Sequence, residues 1–265
     1  MPHMHVALDG RRIFAGTGGR DHEPALPGIV LVHGAGMDHS VFAFQARALA
    51  HHGRNVLAID LPGHGRSEGP ALDSVAAMAE WVLRAASACG MERLRIAGHS
   101  MGALVALECA ARAGARIEAL ALLGFVPEMR VHPDLLAAAR AGSHSTVELM
   151  TSWSLSAQAQ LGANPAPGLW LSGGALRLLE RADPASLAAD LAACDAYRDA
   201  GAAAAQIGCP TLLLLGGGDR MTPASRAQAF AGRFADVRIS VLPEVGHMMM
   251  AEDPVATLAA MKAIL

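Results

Sequence analysis

A serine with a glycine two residues to either side, in Gly98-His99-Ser100-Met101-Gly102, ends a short apolar run and passes without a spacer into an Ala/Leu helical pattern. Such a junction can make a hydroxyl a nucleophile. A strand that turns directly into a helix forces the corner residue into a strained backbone conformation and leaves its side chain exposed at the end of the sheet. Side chains at 98 and 102 would collide across so tight a corner, which explains a glycine at each. Ser100 would also lie at a helix N-terminus, whose free N–H groups favour nearby negative charge. With 28 glycines the pattern can recur by chance, and a second copy, Gly65-Arg66-Ser67-Glu68-Gly69, is present. It sits among Pro62, Gly63 and Pro70 with no helical pattern starting at Ser67, so Ser67 reads as a loop residue.

A serine nucleophile needs a base, and the base needs an orienting carboxylate. Of 12 histidines only His247 follows the final strand-like run, in RISVLPEVGHMMM, where a loop at the sheet end can carry its imidazole to Ser100. His3, His5, His51 and His52 read as solvated or hydrogen-bonded side chains. The carboxylate must also emerge at a strand end. After IEALALLG the chain offers Gly124-Phe125-Val126-Pro127, with no acid, whereas TLLLLG leads into Gly217-Gly218-Asp219-Arg220-Met221-Thr222-Pro223. Alone, Asp219 is an ordinary turn aspartate. With Ser100 and His247 it completes the order serine, aspartate, histidine. The oxyanion of a tetrahedral intermediate would be met by two backbone N–H groups, Met101 after the nucleophile and Ala35 in His33-Gly34-Ala35-Gly36. His33 reads as a structural partner of that loop. Neither Gly-x-Gly-x-x-Gly after a strand nor a P-loop is present, and no cofactor or metal is expected.

These groups must be held by a sheet. Strand-like runs occur at 4–8, 11–16, 28–33, 55–60, 93–98, 117–124, 211–216 and 238–243. The first two flank Asp9-Gly10, a hairpin signal, and the later ones alternate with helical patterns, as a mostly parallel sheet requires. Expected N-caps are Ser40, Asp73, Thr222 (before Pro223) and Asp253 (before Pro254). From 126 to 206 the strand rhythm stops and helical or loop patterns rich in Ala, Ser and Leu take over. The expected organisation is a core of 1–125 and 207–265 with a helical cap, 126–206, inserted at the sheet end where ligands bind.

A length of 265 residues suits one α/β domain with an insertion. A hydrophobic fraction of 52%, 17% charged residues and a net charge of −3 exclude disorder and lack the basic excess of a nucleic-acid binder. No apolar h-region opens the chain and no apolar stretch reaches about 18 residues, so neither export nor a membrane is expected. Cys89, Cys109, Cys194 and Cys209 lack Cys-x-x-Cys spacing and read as buried free thiols in a reducing, cytoplasmic compartment.

HGAG, DLPGHGRS, GHSMG, GGGDRMTP and VGHM, in this order and spacing, resemble the oxyanion loop, post-strand turn, nucleophile elbow, acid turn and base loop of the α/β-hydrolase superfamily over almost the whole chain. The resemblance implies an α/β fold with a mostly parallel eight-stranded sheet, a helical cap, and Ser100, Asp219 and His247 as a catalytic triad. Serine in the elbow argues against the haloalkane dehalogenases and epoxide hydrolases, which carry aspartate there. The expected activity is cofactor-independent hydrolysis of uncharged small-to-medium carboxylic esters through an acyl-enzyme. Alternatives are a C–C bond hydrolase or perhydrolase using the same triad, or a ligand-binding receptor with little turnover. From 141 to 176 the only charged residue is Glu148, which favours a neutral small-molecule substrate, and Met150, Trp153, Trp170 and Met248 are candidate pocket residues. Arg130, Arg140, Arg177, Arg181 and Arg198 share the cap with eight acids, so no basic cluster stands out. Oligomeric state is open.

Overall fold

The apolar runs pair into one sheet. In the computed structural model, which describes residues 3–163, 165 and 168–265, its strands are β1 (His3–Leu8), β2 (Arg11–Gly16), β3 (Gly28–Val32), β4 (Asn55–Ile59), β5 (Leu94–His99), β6 (Ile117–Leu123), β7 (Thr211–Gly216) and β8 (Val237–Leu242). Residues 1, 2, 164, 166 and 167, which fall in the expected core and cap segments, lie outside the described residues. The strand order is β1-β2-β4-β3-β5-β6-β7-β8. β1 and β2 are antiparallel, β2 is antiparallel to β4, and every other pair is parallel. All residues of β3, β4 and β7 are buried, because helices cover both faces of a parallel sheet. The edge strands β1 and β8 are partly exposed, and β1 alternates along its length. Asp9 and Gly10 both take positive φ, 53° and 73°, the backbone that a two-residue hairpin turn demands.

The topology explains where a site can form. The chain goes from β3 outward through helix Ala43–His51 to β4, then returns through helix Val75–Ala88 to β5 on the other side of β3. Connections leaving β3 and β5 therefore diverge, and a crevice opens beyond their carboxyl ends. The loop His33-Gly34-Ala35-Gly36 and the Ser100 corner occupy those two ends.

Helix starts differ in detail from the sequence pattern. Asp38, not Ser40, caps a single 3-10 turn, His39–Phe42, that runs into Ala43–His51, because its carboxylate accepts the Ser40 N–H. Ser74, not Asp73, caps Val75–Ala88. Asp253 caps Pro254–Lys262 as expected. Thr222 does not cap Ala224–Phe230; its hydroxyl is spent on Asp219 instead.

Between β6 and β7 the described residues form helices and no strand: Pro133–Arg140, His144–Ser154, Ala157–Gln160, Leu171–Glu180, Pro184–Ala196 and Ala200–Ala204. The last of these packs on Met101–Ala113, in the layer that flanks the sheet. No helix among the described residues is long and apolar enough to cross a membrane.

Candidate active site

Ser100 has φ 55° and ψ −121°, a conformation that costs a residue with a Cβ about 1–3 kcal/mol. Its N–H donates to Leu123 O at 2.9 Å, and helix Met101–Ala113 starts immediately after it. A Cβ at Gly98 would overlap Gly102 O, and one at Gly102 would overlap Val32 O, so both glycines are required by close backbone approach. A Cβ at Gly34 would come within 3.2 Å of Ser100 Cβ, which puts the loop after β3 directly against the serine. Met101 opens its helix, so its N–H has no intrahelical partner. Ala35 lines the same cavity as Ser100.

The aspartate and histidine meet. His247 Nδ1–H donates to Asp219 Oδ2 at 2.7 Å, with both side chains buried. Asp219 Oδ1 accepts the N–H groups of Met221 and Thr222, each at 2.8 Å, and Oδ2 also accepts the Thr222 hydroxyl at 2.5 Å. Burial opposes the charge on Asp219, but the adjacent His247 and the hydrogen bonds of Thr222 outweigh it and hold the carboxyl below its ordinary value. The opposite ring nitrogen, His247 Nε2, has no hydrogen-bond partner, and His247 and Ser100 line one cavity.

The loop that carries His247 is fixed from three sides. Ser154 O accepts the N–H groups of His247 and Met248, at 2.9 and 3.0 Å. Buried Glu252 accepts Gly246 N–H at 2.9 Å and Ser156 N–H at 3.1 Å through one oxygen. His99 Nε2–H donates to His247 O at 2.9 Å, and its ring lies 4.6 Å from the His247 ring. Burial, then repulsion from His247, lowers the His99 pKa to about 3, so it stays neutral and does not compete for a proton. His99 sits inside the serine motif, yet nothing in the sequence pattern distinguishes its role.

His33 braces the opposite wall. Its Nε2 accepts Leu61 N–H at 3.1 Å and its Nδ1–H donates to Gly34 O at 2.9 Å. Burial and the neighbouring His64 lower its pKa to about 4. His64 differs, because both of its ring nitrogens face acceptors: Pro62 O at 2.9 Å and Asp190 Oδ2 at 2.8 Å. Burial disfavours its charge, but the hydrogen bond to Asp190 and that residue's charge prevail and raise its pKa. The same Asp190 oxygen accepts Gly36 N–H at 2.8 Å, so helix Pro184–Ala196 is tied to the loop after β3. The two partners are 126 positions apart, and no local signal announces the pair.

The cavity holding Ser100 and His247 measures about 410 Å³. Met150 and Trp153 line it. Trp170 and Met248 do not. They line a separate cavity beside Phe44 and Leu169, where Trp170 is 79% exposed and packs its ring over Gly173 at the start of helix Leu171–Glu180. Ser67 stays in its loop, and its hydroxyl accepts Phe14 N–H at 2.9 Å. Asp38, His39 and Asp60 are close enough for one metal ion, but protein donors occupy their carboxylates. Asp60 accepts His39 N–H and Nδ1–H at 2.7 and 2.9 Å and Arg66 N–H at 2.9 Å, and Asp38 accepts Ser40 and Arg181.

The sequence profile of the alpha/beta hydrolase family matches residues 29–261. The chain belongs to that family. It is similar to the dihydrolipoyllysine-residue acetyltransferase component of the acetoin cleaving system of Pseudomonas putida, 32% identical over 84% of this chain and spanning 59% of that protein's length. It is also similar to the (E)-2-((N-methylformamido)methylene)succinate hydrolase of Acinetobacter baylyi, 25% identical over 89% of each chain. Among solved structures, the enol-lactonase of Burkholderia xenovorans superposes with a TM-score of 0.88 at 25% identity, covering 98% of both chains. Within this alpha/beta hydrolase the family profile spans Ser100, Asp219 and His247 together.

Proposed function

We propose that the protein is a serine hydrolase that cleaves small-to-medium carboxylic esters, uncharged at the scissile end, through an acyl-enzyme on Ser100. One observation carries the most weight: a buried 2.7 Å bond orients His247 toward Asp219 and leaves Nε2 free beside the cavity of a strained serine. In this reading Nε2 takes the Ser100 proton as Oγ attacks the ester carbonyl, and the buried carboxylate stabilises the imidazolium that forms. The Met101 and Ala35 N–H groups receive the developing oxyanion, in place before the reaction begins. His247 returns the proton to the departing alkoxide, and water, activated by the same imidazole, releases the acid. The likeness to an enol-lactonase supports ester chemistry, since a lactone is a cyclic ester. The segment 126–206 serves as a cap, whose Met150 and Trp153 supply an apolar wall. Four free cysteines, three of them buried, suit a reducing compartment such as the cytoplasm.

The test is covalent labelling with a fluorophosphonate, mapped by peptide mass, beside hydrolysis of p-nitrophenyl butyrate. Label on Ser100 and loss of turnover in Ser100→Ala are expected. Label on Ser67, or full turnover in S100A, overturns the assignment.

A further inference from the structure

Two arginines, Arg130 and Arg220, and a second histidine, His132, line the cavity that holds Ser100 and His247, and among the described residues no aspartate or glutamate does. The rest of that wall is mainly apolar, with Met37, Met129, Leu135, Leu179 and Leu191 among its residues. An ester without charge gives two arginines nothing to bind there. Resting on the serine-hydrolase reading, we infer that the substrate carries a carboxylate remote from its scissile carbonyl, held by Arg220 and Arg130.

Arg220 is the better placed of the two. It follows Asp219 directly, in the turn that the N–H bonds of Met221 and Thr222 to the Asp219 carboxylate make rigid, so its backbone is held in place beside Asp219. One of its terminal nitrogens donates to Ser152 O at 2.5 Å, and among the described residues no carboxylate pairs with it. The guanidinium therefore keeps donors and a full charge for a ligand. Arg130 comes from the segment after β6, whose backbone is pinned by Val131 N–H on Asp195 at 3.0 Å and by Arg226 on Glu128 O at 3.1 Å. Its contact with Glu128, 3.4 Å long and largely in water, is of a kind that contributes little and yields readily to a better partner. His132 adds a ring N–H donor beside them. All three residues are exposed and so open to a ligand from solvent, and a planar guanidinium matches a carboxylate with two parallel hydrogen bonds.

None of the other four arginines of the segment, Arg140 among them, lines the cavity, and three have partners elsewhere. Arg177 pairs with Glu180, Arg181 with Asp38, and Arg198 donates to Tyr197 O. The composition of 126–206 conceals the asymmetry, because its acids stay off the cavity wall and one of the two arginines lies outside the segment.

The experiment compares kcat/KM for the p-nitrophenyl monoester of glutaric acid with that for p-nitrophenyl valerate, an uncharged ester of similar length. The wild-type protein is expected to favour the carboxylate by roughly tenfold to a hundredfold, the range of one charge-assisted contact, and the preference should shrink as salt is raised. Arg220→Ala is expected to lower the ratio at least tenfold, Arg220→Lys to restore part of it, and Arg220→Glu to invert it. Equal rates for the two esters in the wild-type protein, or a ratio unmoved in R220A and R220E, overturn the inference. Fluorophosphonate labelling of Ser100 separates the two failures. Labelling without carboxylate preference refutes the anionic substrate alone, whereas absent labelling refutes the serine-hydrolase reading beneath it.

Discussion

Replacing Asp190 by alanine would remove in one step the partner of a buried imidazolium and the acceptor of Gly36 N–H. His64 and Asp190 are 2% and 0% exposed, so water cannot take over either role without opening the fold. Breaking one side of a buried, hydrogen-bonded pair typically costs about 3–5 kcal/mol, because the remaining charge is stranded. Unfolding entropy of about 2.1 cal/mol/K per residue gives about 0.56 kcal/mol/K for 265 residues, so Tm should fall by about 5–9 °C. The effect also has a direction in pH. His64 binds its proton more tightly when folded, so its contribution is fully present below the unfolded value of about 6.5 and fades as pH rises through the raised folded value. Differential scanning calorimetry of wild type and D190A at pH 6 and pH 9 should show the larger gap at pH 6. The double variant His64→Gln with Asp190→Asn should recover part of the loss, since no uncompensated charge remains. A gap below 2 °C at pH 6, or one that widens toward pH 9, would refute the ion pair.

Asp219→Asn should reduce turnover of p-nitrophenyl butyrate by about 10⁴, because an amide no longer holds His247 in the tautomer that leaves Nε2 bare; a loss under tenfold contradicts the orienting role. The same substitution should flatten acid unfolding. Asp219 has a lowered folded pKa, so its stabilisation is present above the ordinary value of 3.8 and is lost as pH falls through the folded one, which urea titrations at stepped pH would register. Ser67→Ala should cost about 1–3 kcal/mol in urea unfolding, by leaving Phe14 N–H buried without an acceptor, while probe labelling at Ser100 persists. Lost labelling with unchanged stability would reverse the roles given to the two serines.

What could be read from the sequence was whatever lies local in the chain. Apolar runs between turn signals mark the covered strands and more mixed runs the edge strands β1 and β8, so all eight emerged close to their observed bounds, and the Ser100 corner showed itself through glycines that only a strand-to-helix turn requires. Asp219 and His247 were reachable because each follows a strand and the strands set their end of the sheet. Long-range partners were not. Asp190 is one of two aspartates on an alanine-rich helix, and only the tertiary contact with His64 and Gly36 gives it meaning. Trp170 and Met248 line a different cavity from Ser100 for a related reason: an apolar side chain in the inserted segment, or one next to His247, is not assigned by sequence to a particular face of its helix or loop. Thr222 looked like a helix cap until its hydroxyl was found on the carboxylate beside His247. Arg130 and Arg220 come from two sides of the insertion and share a wall only after folding.

The carbonyl of Ser154 holds two consecutive amides of the loop that bears His247, and Glu252 joins that loop to Ser156. The segment between β6 and β7 is thus a moorage for the imidazole as well as a source of cavity-lining residues. Grafting a foreign segment from a homologue, a common route to altered selectivity, would cast this histidine adrift unless the donor brought an equivalent carbonyl to the same spot. On the proposed reading, substrate range and proton transfer have to be redesigned together.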